Sequence, residues 1–231
     1  MRQIGLAERA LERMLAMRAY QRGKHVDGIE DKAVLDQVVR AVETALAEQP
    51  GSLLVFLPGQ GEILRTAERL RDRNRPNVEI APLYGALDPR DQDRAIQPAQ
   101  PGLRKVVLAT SIAETSLTLE GVTVVIDAGL ARVPRYDPAS GLTRLVTVRV
   151  SRASADQRRG RAGRTQPGIA YRLWDEAQTK GLLAFARPEI LESDLSGLAL
   201  DLARWGARDP SGLSFLDAPP AGADADRKSV V

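Results

Sequence analysis

Residues 153–164 read Ala-Ser-Ala-Asp-Gln-Arg-Arg-Gly-Arg-Ala-Gly-Arg, a stretch whose residue types are suited to phosphate. Four arginines (Arg158, Arg159, Arg161 and Arg164) and the amide of Gln157 fall within eight positions, interrupted by Gly160 and Gly163. On a helix, Gln157, Arg161 and Arg164 sit at i, i+4 and i+7 and therefore share a face. A guanidinium is a planar fork that binds phosphate oxygens bidentately and does not lose its charge. Each glycine weakens a helix by about 1 kcal/mol relative to alanine. Their presence suits close approach of the backbone to a ligand or a second surface better than it suits a solvated basic face. Residues 149–164 carry six arginines against one aspartate, a local cluster in a chain whose net charge is only +3. Such clustering points to a polyanion.

A second segment offers different chemistry. Thr110, Ser111, Thr115 and Ser116 place four hydroxyls within seven positions, directly after the apolar run 105–109. Hydroxyls and backbone N–H groups at the start of a helical turn bind phosphodiester oxygens without reading base identity. Simple capping of the turn is the competing explanation. A phosphate-binding loop would require Gly-x-x-x-x-Gly-Lys-Ser/Thr, and the sequence contains none. Nor does an Asp-Glu pair follow a buried strand to hold magnesium. An arginine row without a phosphate cradle suits an arginine finger, which reaches a nucleotide bound by another domain and stabilises charge at the γ-phosphate. The chain has no cysteine and a single histidine, His25, so thiolate metal sites and histidine-based triads are excluded.

The elements that must position these groups follow from apolar periodicity. Residues 31–48 repeat apolar side chains at helical spacing, and Pro50-Gly51 ends the run. The stretches 53–57, 78–82, 105–109 and 122–126 are short and almost wholly apolar, as strands buried on both faces are. A helix is expected over 62–71, and another opens at Asp88-Pro89, with Asp as N-cap and Pro at the first helical position. Alternation of this kind predicts an α/β fold with a parallel sheet sandwiched by helices, ligands binding at the carboxyl ends of the strands. Thr110, Ser111 and Asp127 fall at such ends. Residues 132–148 read as an inserted β-hairpin turning at 136–141, and 168–173 as a last strand. From about residue 176 the pattern is helical, with Leu195, Leu198, Ala199, Leu202 and Trp205 on one face. Residues 1–24 read as a basic amphipathic helix, and 217–231 as a frayed tail. Only 4% of residues are aromatic, so the core must be aliphatic. No run of about 18 apolar residues and no signal-peptide core is present, which predicts a cytoplasmic protein without a membrane partner.

Four segments together resemble a known family: Leu54-Val55-Phe56-Leu57-Pro58-Gly59 with Glu62-Ile63, then Leu83-Tyr84-Gly85-Ala86-Leu87, then Ala109-Thr110-Ser111-Ile112-Ala113-Glu114-Thr115-Ser116-Leu117-Thr118, then 157–165. They are similar in order and spacing to the second RecA-like domain of DEAH-box ATP-dependent RNA helicases, and within that family to the bacterial HrpB branch. The resemblance covers about residues 31–220. It implies a RecA-like domain over 31–175, a basic extension over 1–30, and a truncated winged-helix start over 176–231, where Arg187-Pro188-Glu189-Ile190-Leu191 matches. It implies that Gln157, Arg161 and Arg164 face nucleotide phosphates, that Thr110, Ser111, Thr115 and Ser116 grip the nucleic-acid backbone with Gly59 and Gln60 beside them, and that Asp127 approaches the ribose. The implied cofactor is ATP with Mg2+, held mainly by a first RecA-like domain that this sequence does not contain. The implied partners are single-stranded or partly duplex RNA and that first domain. The hairpin would help to separate duplex. Two positions depart from the family: Ser111 stands where Asn is common, and Ile96 stands where many eukaryotic relatives carry a Phe that stacks on adenine. A non-catalytic nucleic-acid- or partner-binding module and a DNA-directed helicase are the rival readings.

Overall fold

The computed structural model describes residues 32–114, 119–137, 139–163, 167–206 and 213–219. The expected N-terminal helix, His25, Thr115, Ser116, Arg164 and most of the C-terminal tail lie outside them.

Five parallel strands form the sheet: β1 (Ser52–Phe56), β2 (Val78–Leu83), β3 (Arg104–Ala109), β4 (Val122–Asp127) and β7 (Ile169–Arg172), in the order β2-β3-β1-β4-β7. The apolar runs that predicted strands are the buried centre of this sheet, and β1 and β4 are buried at every residue. Side chains alternate between two cores, as the pleat requires. Leu53, Val55, Val106, Leu108, Val124 and Ile126 face the apolar stripes of α1 (Lys32–Glu48) and α2 (Gln60–Arg71). Leu54, Phe56, Val107, Ala109 and Val125 face the opposite way, where Ala95 of α3 (Pro89–Ile96) and Ala162 pack. Asp88 caps α3 as expected, its Oδ1 accepting from the Arg90 N–H at 2.9 Å, with Pro89 opening the helix. Ile96 is the last residue of α3 and is half-buried.

Two basic residues at the start of β3 act as structural caps rather than as nucleic-acid contacts. The Arg104 guanidinium donates to the carbonyls of Leu46, Gln49 and Gly51, each at 2.7 Å, closing the end of α1. Burial, with Arg75 nearby, lowers its pKa. The Lys105 ammonium, only 4% exposed, donates to Arg94 O and Gln97 O at the end of α3. Both satisfy carbonyls that a helix leaves open at its C-terminus.

The hairpin is present as β5 (Leu130–Asp137) and β6 (Leu142–Arg149). It precedes α4 (Arg152–Gly160), and β7 is followed by the short α5 (Glu176–Lys180). Among the described residues the chain forms two compact units. One takes in 32–132 and 147–185. The other takes in the hairpin arms 133–146 together with residues from 186 onward. The second unit contains α6 (Ser196–Arg204), whose expected apolar face is only partly buried: Leu202 is enclosed, whereas Trp205 is 85% exposed.

Candidate functional site

The parallel register brings the predicted groups to one edge of the sheet. Phe56 pairs with Ala109 on one side and with Asp127 on the other, so β1, β3 and β4 end level. Gly59 and Gln60 follow β1, Thr110 and Ser111 follow β3, and Asp127 closes β4. Gly59 is the N-cap of α2 in extended conformation and supplies no side chain to the free N–H groups of that helix, while Gln60 is exposed. A Cβ at Gly59 would lie 2.6 Å from Arg132 Nη1 and 3.1 Å from Glu62 Oε2, so a side chain here would have to displace the end of Arg132 from Glu62. The Glu62 carboxylate is buried and accepts from Arg65 at 3.0 Å and Arg132 at 3.1 Å.

Thr110 starts a 3₁₀ turn (Ser111–Ala113), yet its side chain makes no cap hydrogen bond. Capping was the competing explanation for these hydroxyls, and it does not account for Thr110. Thr110 is half-buried and Ser111 exposed.

The arginine row is not one continuous helical face. The α-helix ends at Gly160, and Arg161–Gly163 continue as a 3₁₀ turn. Gln157 is exposed, but Arg161 is 6% exposed. The Arg161 guanidinium donates from Nε to the Glu114 carbonyl at 2.8 Å, and Nη2 donates to the same oxygen. Gly168 makes this turn possible: a Cβ there would overlap the Ala162 carbonyl and lie 2.6 Å from that of Thr123.

Arg158, a member of the arginine cluster but not of the face shared by Gln157, Arg161 and Arg164, is fully enclosed. Its Nη1 donates to Asp127 Oδ1 at 2.8 Å and to Leu130 O at 3.2 Å, and its Nε donates to Glu114 Oε1 at 2.7 Å. Nη2 lies 2.7 Å from the same Glu114 oxygen as an ion-pair contact without hydrogen-bond alignment. The guanidinium also sits 4.8 Å from the centre of the Phe56 ring, a desolvated cation–π contact. Burial works to lower its pKa, but the charges of Asp127 and then Glu114 more than reverse this and hold it above its usual value. Arg158 is a single residue, about 100° of helix, from Gln157, so the two cannot share a face.

This arrangement also sets what Asp127 does. Its carboxylate is 3% exposed, and Oδ1 accepts from Arg158 and from the Gly129 N–H at 2.8 Å. Its Oδ1 is thus engaged within this chain, while the buried Oδ2 makes no hydrogen bond. The other carboxylate at this edge, Glu114, is likewise engaged by Arg158. Neither is open to a cation, and among the described residues no cluster of acidic or imidazole side chains fits Mg2+.

Comparison with known proteins agrees with this frame. The model of the helicase conserved C-terminal domain matches residues 33–166. The ATP-dependent RNA helicase HrpB of Escherichia coli K12 is 54% identical over 185 residues, which is 80% of this chain and 23% of that protein. The fission yeast (Schizosaccharomyces pombe) pre-mRNA-splicing factor ATP-dependent RNA helicase prp22 is 42% identical over 80% of this chain and 16% of its own length. Two crystal structures of E. coli HrpB superpose with TM-scores of 0.79 and 0.81 at 48% identity, each covering 93% of this chain and about a quarter of the solved one. The chain thus spans a quarter or less of the length of these relatives. With strand order, edge geometry and matched residues in agreement, the chain belongs to the helicase conserved C-terminal domain family, on a RecA-like α/β fold similar to that of HrpB.

Proposed function

We propose that this chain is the second motor domain of an ATP-dependent RNA helicase of DEAH type. In this reading it contributes arginines to an ATP held by a first RecA-like domain and grips the phosphate backbone of RNA. The observation that carries the reading is the meeting of two phosphate-suited segments at one sheet edge: the turn bearing Arg161 is bonded to Glu114, four residues beyond Thr110. Gln157, Arg161 and Arg164 face the nucleotide, and Thr110, Ser111, Thr115, Ser116, Gly59 and Gln60 face the strand. The groups present suit contact with a triphosphate from one side only. ATP and Mg2+ belong to the domain that carries a phosphate loop, where ATP supplies the cleavable γ-phosphate. The residues of this chain orient and neutralise it. The hairpin helps to part the strands, and the protein acts in the cytoplasm.

On this reading the purified 231 residues hydrolyse no ATP. A first RecA-like domain supplied in trans restores RNA-stimulated hydrolysis, and Arg161→Ala or Arg164→Ala lowers the restored rate by about 10³-fold or more. Hydrolysis by the chain alone, or restored hydrolysis indifferent to both substitutions, contradicts the reading. The latter result, with RNA binding intact, would favour a non-catalytic nucleic-acid-binding module.

A further inference from the structure

At the amino end of the sheet, α1, α2 and β2 leave an open hollow of about 240 Å³. Leu46, Leu70, Val78 and Ile80 line its floor with aliphatic side chains. Val78 opens β2 opposite Arg104 of β3, so the hollow lies about 17 Å of strand away from the carboxyl ends. Its charged lining groups are Glu43 of α1, Arg71 at the end of α2, and Arg75 just beyond. Both arginines are exposed. The charges are unevenly matched. Arg75 Nε donates to Glu43 Oε1 and Oε2 at 3.2 and 3.1 Å, and its Nη2 donates to Oε2 as well. Arg71 Nη2 makes only a long bond to the Ile80 carbonyl, at 3.4 Å, outside the ordinary N–H···O range. A third guanidinium, Arg104, spends its bonds on neutral carbonyls, and burial and then the charge of Arg75 lower its pKa. Three guanidiniums therefore gather where a single carboxylate, Glu43, lines the hollow.

We propose that this hollow is a docking site for an acidic peptide segment of a partner protein, which seats one aliphatic side chain on the floor and sets its flanking carboxylates against Arg71 and Arg75. Size and charge both select this occupant. The hollow is smaller than the roughly 300–1,000 Å³ of sites that enclose a whole small molecule, and it suits a single anchoring side chain. Its charged groups stand on the rim, where the neighbours of such an anchor lie. Guanidinium forks there favour carboxylates, and clustered arginines recognise acidic segments. A nucleic-acid backbone would satisfy the arginines but brings no aliphatic group for the floor. In the free chain Glu43 takes the place of the partner's carboxylate at Arg75, and a docked acid competes with it. The inference does not draw on the functional reading above, and a peptide held at the amino end leaves the carboxyl edge of the sheet open.

The test titrates the 231-residue chain with a short synthetic peptide that carries one leucine between aspartates. The methyl signals of Leu46, Leu70, Val78 and Ile80 are followed by carbon–proton NMR. They are expected to shift saturably, with an affinity that falls as salt screens the exposed rim. The same peptide with glycine in place of leucine should bind about tenfold more weakly, because the apolar burial is gone. Arg71→Glu sets like charges together and should weaken the leucine peptide by about tenfold. Glu43→Gln removes the competing carboxylate and should tighten it. Circular dichroism checks that both variants fold, and if Glu43→Gln does not, Arg71→Glu decides alone, since its side chain is exposed. Methyl signals that do not move overturn the proposal. So does equal binding of the leucine and glycine peptides, which would show attraction of any anion to the rim, and so does an affinity indifferent to Arg71→Glu. A uridine RNA that shifts the same methyl signals and displaces the peptide would assign the hollow to nucleic acid and overturn it as well.

Discussion

At the scale of single residues, the chemistry of Arg158 and Arg161 differs because their surroundings do, although the side chains are identical. Arg158 is desolvated and compensated by two carboxylates, and breaking such a buried pair leaves an uncompensated charge. Asp127→Asn should therefore destabilise the domain by about 3–5 kcal/mol in urea unfolding. The same variant should leave nucleotide affinity of a reconstituted helicase within about twofold, apart from what unfolding removes. A large specific loss of nucleotide binding in folded protein would return Asp127 to the ribose. Thr110 makes the opposite case. Its hydroxyl caps nothing, so Thr110→Val should cost the fold less than about 0.5 kcal/mol, as substitutions away from buried networks do, yet weaken RNA binding severalfold in a filter or anisotropy assay. Equal affinity for the two proteins would remove Thr110 from the strand-facing set.

At the scale of elements, the arginine turn depends on how closely β7 approaches it. Gly168 lies against the Ala162 carbonyl, and the contact is with backbone, which cannot swing aside as a side-chain end can. Gly168→Ala should cost about 1–3 kcal/mol, as overpacking does, and should shift the amide resonances of residues 161–163 more than those of α1. The hairpin turn makes a separate prediction. Asp137 accepts from the Ser140 hydroxyl and from the Ala139 N–H, and these bonds hold its carboxyl below its ordinary value of 3.8. A lowered carboxyl stabilises the turn fully above the unfolded value, and this contribution is lost as pH falls through the lowered one. The turn should thus hold at neutral pH and loosen in acid below about pH 4, seen as loss of the Ala139 amide protection. Ser140→Ala should move the Asp137 titration back up. At this scale much of the fold was legible: continuous apolar runs mark β1, β3 and β4, and Asp88-Pro89 marks the start of α3. What periodicity did not show was the break at Gly160. Glycine spacing signals weakness in a helix but does not say where the last turn tightens.

At the scale of the molecule, the sheet works as a ruler. Strands β1, β3 and β4 end in register, which puts segments more than fifty residues apart in sequence at one edge. Placement of such groups at the carboxyl ends of strands follows from α/β topology. As a fragment of such relatives, the chain should bind strand phosphates by itself but need a partner domain for ATP. Its strand-facing groups are hydroxyls, an amide and backbone N–H groups, so RNA affinity should vary only shallowly with salt, without the log–log slope of about −0.7 per phosphate that cationic contacts give. A steep salt response would argue that arginines, rather than these groups, make the contact.

The sequence by itself determined the strands, the helices between them, the family and the two phosphate-suited segments, because each depends on residue types within a few positions of one another. It did not determine which arginine of the cluster is buried. Burial depends on carboxylates 31 and 44 residues away from Arg158, brought to it only when β4 and β3 flank β1 and end level. The same holds for Arg161, which donates to a carbonyl 47 residues earlier. A guanidinium and a carbonyl oxygen carry no mark in the sequence of the partner they will find. Packing decides it, by removing water from one arginine and leading the next back to the strand end.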